Sequence, residues 1–418
     1  MQAQFGRRSF LKGGLGATLG AGALLGGGSA LLAACGSGGS GSSSAAGSAR
    51  SMGLSLTTDP RILAGFKKKT GKVMQGQADT VGNMQVQWAQ GAYRQLDVLE
   101  PNAQWVGPIQ GNNLFKPVPV SDVPLWTDDV LPLFRKAGAP GYVKESGWPL
   151  KTIYTEQALQ SEALDEFTMV PTWFGFDAFG YLENRVTEGE DMDSYGLIFD
   201  KRYAGKAALF DDAIQTPLKV ATYLQGSNQY AFDGPLGNLT KDDLAIVFEF
   251  LDEMKARKQF RLLWNDFGQL VDLLVSEEVW VCDAWSSAVY AANAAGAKAR
   301  FVDNPTEGNN AWWYGVLVSP ETKNYETVVD YIDYWLGGEP HQIMAPQGYY
   351  SPRPDLVKPL IENTFTTDPD VSDWDYWYAG ATDKRPSLES RIQNTAEWQQ
   401  YPDEFAEYSR LWTEFTAS

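Results

Sequence analysis

"NNAWWYGVLVSP", Asn309 to Pro320, sets two tryptophans and a tyrosine in a row ahead of a glycine and a short apolar run. It reads as a strand, on which neighbouring side chains point to opposite faces. One core therefore cannot bury all three rings. Either two protein surfaces are covered here, or one ring is presented to something that is not protein.

On both sides of this stretch, short apolar runs alternate with helical patterns from about Leu54 onward, which predicts an α/β architecture. "RILAGFKKKTG" places Ile62, Leu63 and Phe66 on one helical face and stops at Gly71. "KVMQGQ" reads as a strand, Asn83 to Ala92 as a helix, and Leu96 to Glu100 as a strand. In "LTKDDLAIVFEFLDEMKARK", Thr240 suits the N-cap, Asp242 and Asp243 the first turn, and Lys255, Arg257 and Lys258 the last. A further helix over Tyr325 to Leu336 buries Val328, Val329, Ile332 and Trp335 and stops at Gly337-Gly338.

Composition narrows the partners. The chain has 418 residues, 44% of them hydrophobic, enough for two domains with real cores. Its 52 acidic residues outnumber 34 basic ones, a formal charge of -18, so it lacks the basic clusters that hold nucleic acid. A cationic small ligand suits this balance. The single histidine, His341, leaves little for His-based catalysis or a His-rich metal site.

The first fifty residues read as an address. "RRSFLKGG", Arg7 to Gly14, resembles the twin-arginine export motif. A weakly apolar Gly/Ala-rich stretch, Leu15 to Ala34, follows and ends in "LLAAC", which resembles a lipobox. Cys35 would then carry the lipid and begin the mature chain. Several glycines and the terminal cysteine argue against a transmembrane helix. Gly36 to Ser51 reads as a flexible tether, so residues 35–53 form an anchor and spacer. The second cysteine, Cys282, sits in an apolar run as a buried thiol, and no disulfide is expected.

The order of segments resembles the solute-binding proteins of ABC importers, and within them the spermidine/putrescine-binding branch. The resemblance runs over most of residues 54–418. It is carried by "FKKKTGKV", "YRQLDVLEPNAQWV", "MVPTWFGFDAFGYLENRV", "YAGKAALFDDAIQTPLKVATYLQG", "SEEVWVCDAWSSAVYAANAAG", "WWYGVLVSPETKNYETVVDYIDYWL" and "GYYSPRPD". It implies a two-lobe periplasmic-binding-protein fold, type II-like, with a ligand cleft between the lobes. Hinge strands would cross near Val170–Asp177 and Trp312–Val316. Lobe one would combine 54–172 with 314–358, and lobe two 173–313 with 359–418. The role implied is capture of a polyamine or related organic cation and delivery to an ABC permease. The protein would work as a monomer, anchored by its lipid to the outer face of the cytoplasmic membrane, with no cofactor or metal.

In that branch aromatic walls sandwich the methylene chain and carboxylates meet the ammonium ends, combining apolar burial, cation–π attraction and charge-assisted hydrogen bonds. The resemblance places Trp313 and Trp285 on wall tryptophans, Tyr349 on a pocket tyrosine and Asp212 on a ligand-binding aspartate. Asp212 also suits a helix N-cap, and each aromatic also suits a core. Gln215 stands where the branch has a glutamate, and Gly315 where it has its central aspartate. Asn102 replaces a pocket serine and Gln104 a pocket tyrosine, with Trp105 beside it. Thr58 and Asp59 stand in a first-lobe loop that lacks the branch's aromatics.

With two amine-binding acids replaced, a ligand with one cationic end and a neutral, hydrogen-bonding remainder fits Asp212, Gln215, Asn102 and Gln104. Asp266 or Asp283 would restore an acid if its side chain turns inward. A sugar or other neutral solute is the rival occupant, because tryptophan-rich clefts also stack sugar rings. A secreted glycoside hydrolase is the enzymatic alternative. Acid pairs such as Asp211-Asp212 exist, but no nucleophile motif, metal-ligand spacing or phosphate loop accompanies them, so the reading is a binding protein and not an enzyme.

Overall fold

The aromatic triplet lies in a ten-residue strand, Asn309–Val318, every residue of which is buried. The computed structural model describes residues 47–143, 149–187, 191–361, 371–380 and 385–417. The export motif, the lipobox with Cys35 and most of the tether lie outside the described residues.

In chain order the strands are β1 (Ser48–Gly53), β2 (Val73–Ala78), β3 (Val98–Leu99), β4 (Val118–Pro119), β5 (Glu166–Phe167) and β6 (Met169–Leu182). They continue as β7 (Ala207–Phe210), β8 (Phe260–Trp264), β9 (Val281–Ala284), β10 (Ala299–Val302), β11 (Asn309–Val318) and β12 (Thr395–Trp398). One mixed sheet runs in the order β2-β1-β3-β11-β6-β9-β7-β8, with β12 also paired to β11 and β10 to β6. β4 and β5 form a separate antiparallel pair. Helices connect the parallel β1, β2 and β3, and likewise β7, β8 and β9, as parallel pairing requires. The α/β reading is borne out.

The start of the fold differs from the sequence division. Ser48–Gly53 falls in the expected tether, yet forms β1 between β2 and β3, with Ala49, Ser51 and Met52 buried. Small residues suit this place, because a strand flanked by strands and covered by helices has little room. Elsewhere the expected elements appear. The helix Pro60–Thr70 buries Ile62 and Phe66 and ends at Gly71, whose φ of 75° favours glycine. Thr240 and Asp243 form a reciprocal capping box on the helix Lys241–Ala256. The helix Tyr325–Leu336 buries Val328, Ile332 and Trp335, whereas Val329 is half-buried.

β6 carries the chain from one hydrophobic core to a second. The first contains Phe66, Trp88, Phe134, Phe174, Trp313, Trp335 and Trp398, and the second Phe179, Leu209, Trp264, Leu274, Phe301 and Trp412. On β6 the change falls between Phe176 and Ala178, leaving Asp177 at the boundary. On the return it falls between Val302 and Ala311, so β11 belongs to the first core. The sequence division assigns all of 359–418 to the second lobe, but the packing splits that segment. Ile361, Trp377, Ile392 and Trp398 join the first core, and only Tyr408, Trp412 and Phe415 join the second.

Candidate functional site

β6 and β11 run antiparallel, with Trp312 opposite Gly175, Trp313 opposite Phe174 and Tyr314 opposite Trp173. Directly opposed residues share a face. Trp173, Asp177, Trp312 and Tyr314 therefore lie on one side, and Phe174, Phe176 and Trp313 on the other. Gly175 allows this arrangement, since a Cβ there would sit 2.6 Å from the Trp312 ring.

The resemblance puts Trp313 on a ligand wall, but Trp313 lies on the opposite side of the strand from Trp312 and Tyr314. Trp313 is 1% exposed and packs edge-on to Phe134 in the first core, beside Trp398. Trp312 and Tyr314 pack on the other side of the strand, among Trp173 and Tyr349 of the same core. Tyr314 stacks on Trp173 at 4.4 Å and 12°, Trp312 stands edge-on to Trp173 at 5.1 Å, and Tyr349 closes on Trp173 at 5.1 Å and on Trp312 at 5.6 Å.

Acids meet the rings on this face. Asp177 accepts the Trp312 indole N–H at 2.8 Å. Lys219, from the helix Gln215–Gly226, hydrogen-bonds Asp283 on β9 and approaches Asp177 at 3.6 Å. All three side chains are at most 4% exposed. Burial raises the Asp177 pKa against the pull of Lys219. Burial would lower the Lys219 pKa, yet Asp283 and Asp177 together raise it. Two acids thus share one ammonium.

Asp212 stands just before the same helix, its Oδ1 accepting the backbone N–H groups of Ile214 at 2.8 Å and Gln215 at 2.7 Å. It is half-buried, and burial raises its pKa despite those two bonds. Asp212 lies within electrostatic reach of Lys219, Asp283 and Tyr314.

The remaining expected residues divide. Trp285 is half-buried at the start of the helix Ser286–Ala294, against Trp264 at 4.7 Å and Phe210 at 5.1 Å. Two residues on, Ser287 Oγ hydrogen-bonds the Tyr349 hydroxyl at 2.9 Å, tying that wall to the aromatic group. Asn102 pairs with Tyr314 through an isolated bridge, and its amide donates to Gln399 at 3.3 Å. Gln104 is fully buried, with neither amide atom hydrogen-bonded among the described residues. Trp105 is half-buried and packs edge-on to Tyr401 and Phe405 against the second core. Asp59 caps the helix Pro60–Thr70 and pairs with Arg61 at 2.7 Å, sharing no hydrogen bond or ring contact with the cluster. Asp266 is exposed and caps another helix, and Asp283, though turned inward, is occupied by Lys219.

Gly315 has a structural reason. A Cβ there would lie 2.3 Å from the Val170 carbonyl oxygen, where the register shifts at a bulge, so no acid fits. The carboxylate on this face comes instead from Asp177 of the neighbouring strand. Sequence reasoning missed Trp173, Asp177 and Lys219. The two-residue spacing of Trp173, Gly175 and Asp177 was the available signal.

Two open surface recesses, of about 430 and 500 Å³, lie elsewhere. One is lined by Asp266, Asp272 and Glu278, the other by Trp126, Arg135 and Tyr154. Among the described residues no acid, His or Cys group is arranged to hold a metal, and no helix is long and apolar enough to cross a membrane.

The family model for bacterial extracellular solute-binding proteins matches residues 63–373. The chain belongs to that family. No curated protein matches its sequence. Among solved structures, this solute-binding protein is similar to the spermidine/putrescine ABC transporter substrate-binding protein of Streptococcus pneumoniae, with 17% identity and a TM-score of 0.62 over 88% of this chain and 98% of that one. It is also similar to an A. tumefaciens R10 binding protein in complex with agropinic acid, with 15% identity and a TM-score of 0.57 over 89% and 99%. A Treponema pallidum lipoprotein gives 12% identity and a TM-score of 0.56 over 88% and 99%. At these identities the likeness bears on the fold, which is that of solute-binding proteins serving ABC importers.

Proposed function

We propose that the protein captures a small organic cation of the polyamine type and delivers it to an ABC permease. The observation that carries this is the junction of Trp173, Trp312, Tyr314 and Tyr349 with two buried acids sharing one ammonium, beside the half-buried Asp212. Aromatic faces favour methylene groups and cations, and a net negative interior favours an ammonium over a neutral group. The ligand would lie between two lobes that part about β6 and β11. The spermidine/putrescine-binding protein of similar fold agrees with this reading.

The twin-arginine motif and the lipobox support export and anchoring through Cys35, with the binding domain acting as a monomer outside the membrane. The solute-binding family gives no support to hydrolysis.

A neutral polar solute is the second reading, because Lys219 already neutralises one acid and Gln104 offers both a free donor and a free acceptor. A thermal-shift panel of putrescine, spermidine, monoamines, amino acids and oligosaccharides separates the two. A ligand at a hundred times its Kd adds about 2.7 kcal/mol of stability. Amines alone should shift the melt, whereas a shift by sugars alone would replace the first reading with the second.

A further inference from the structure

Tyr349 and Tyr350 point to opposite faces. Tyr349 joins the rings around Trp312, and Tyr350 packs on Phe174, Phe176 and Tyr378. Behind Tyr350 lie two arginines, Arg385 and Arg391, only 4% and 0% exposed. Buried guanidiniums are stable when each is paired and its donors are satisfied. These two share one acid, Asp303, whose Oδ1 they approach at 3.3 and 3.2 Å without hydrogen-bond alignment.

Their other partners are neutral. Arg385 donates to the Tyr290 hydroxyl at 2.7 Å, and both arginines reach the Tyr350 hydroxyl, at 3.4 and 3.0 Å. Trp377 under Arg385 and Phe176 under Arg391 spread the charge and accept no N–H bond. Arg385 Nε and both Nε and Nη2 of Arg391 have no partner among the described residues. Nε and Nη2 form one edge of the guanidinium, the two-pronged donor that matches a carboxylate or a halide. Although burial alone would raise it, the two cations bring the Tyr350 phenol below its usual pKa, so the field here is positive.

We propose that the Nε/Nη2 edge of Arg391, with Arg385 beside it, holds a small monovalent anion of halide or formate size. A water molecule would satisfy the donors but leave two buried cations with one paired acid among the described residues. Asp303 follows β10 of the second core, whereas Tyr350 and Ile392, the neighbour of Arg391, belong to the first, so the anion would sit where the two cores meet. The site is independent of the solute, whose proposed place is on the Tyr349 face.

Melting of the purified protein in sodium chloride against sodium gluconate at equal ionic strength tests the site, together with anomalous diffraction from bromide-soaked crystals. Chloride and formate should raise the melting temperature saturably and gluconate should not. Bromide should appear within hydrogen-bond reach of Arg391 Nε and Nη2. Arg391→Gln should abolish the saturable rise; if that variant fails to fold, the wild-type bromide map decides. Identical melting in the two salts, or no bromide at Arg391 in the wild-type map, overturns the proposal.

Discussion

The Trp312 indole donates to Asp177 Oδ1 across 2.8 Å, joining β11 to β6 at the residue where the chain passes from one core to the other. Trp313, its neighbour, faces Phe134 on the opposite side. The two tryptophans should therefore fail differently. Trp312→Phe removes a hydrogen bond to a buried acid and should cost about 1.5–3 kcal/mol, together with at least tenfold in amine affinity. Trp313→Ala should cost about 3–5 kcal/mol of stability as a core truncation and leave the affinity of the folded fraction near wild type. Denaturant melts paired with calorimetric titration distinguish the two, and equal affinity losses would contradict the assigned faces.

Lys219 is the only cation hydrogen-bonded to Asp283 and within 4 Å of Asp177 among the described residues. Lys219→Met should destabilise by about 3–5 kcal/mol, because it leaves two buried acids without a counter-charge. Adding Asp283→Asn should recover much of that loss. A double variant no more stable than the single one would show that the pair is not coupled.

Gly315 tests why an expected acid is missing. Its Cβ position lies 2.3 Å from the Val170 carbonyl, so Gly315→Ala should destabilise by about 1–3 kcal/mol or more, and Gly315→Asp still further. If Gly315→Asp folds normally and binds amines more tightly, the position was an open ligand contact after all.

Two buried groups give opposite pH slopes. His341 is fully buried, its Nε2 at 3.2 Å from the Thr172 carbonyl oxygen, and burial lowers its pKa to about 4. The unfolded chain takes up that proton near pH 6.5, so this contribution is complete above about 6.5 and is lost as pH falls towards 4. Burial raises the Glu397 pKa to about 8, against the hydrogen bond from Asn310. Its contribution is complete at low pH and is lost as pH rises from about 4.5 to 8. With one histidine in the chain, imidazole resonances are unambiguous and should stay neutral down to about pH 4. Glu397→Gln should flatten the loss of stability on the alkaline side.

The helices and most strands were legible because their signals are local. Ile62 and Phe66 mark a face, Gly71 a stop, and Thr240 with Asp243 a cap. β1 was not legible, because Ser48–Gly53 is poor in apolar residues and becomes a strand only through pairing with β2 and β3. Alternation along Trp312, Trp313 and Tyr314 was readable, but its phase was not. Phase depends on the register against β6 and on the bulge beside Gly315, both properties of the partner strand. Asp212, Trp285 and Tyr349 entered as candidates through the resemblance alone. Asp177 and Lys219 escaped because a buried ion pair leaves no local pattern across the 42 positions that separate them.

Calorimetric titration of spermidine and putrescine into the protein and its Asp212→Asn variant bears most directly on the ligand. At least one amine should bind saturably, tenfold or more weakly in the variant, with no heat from oligosaccharides. Saturable binding of a sugar alone, or an amine affinity unchanged by Asp212→Asn, would contradict it.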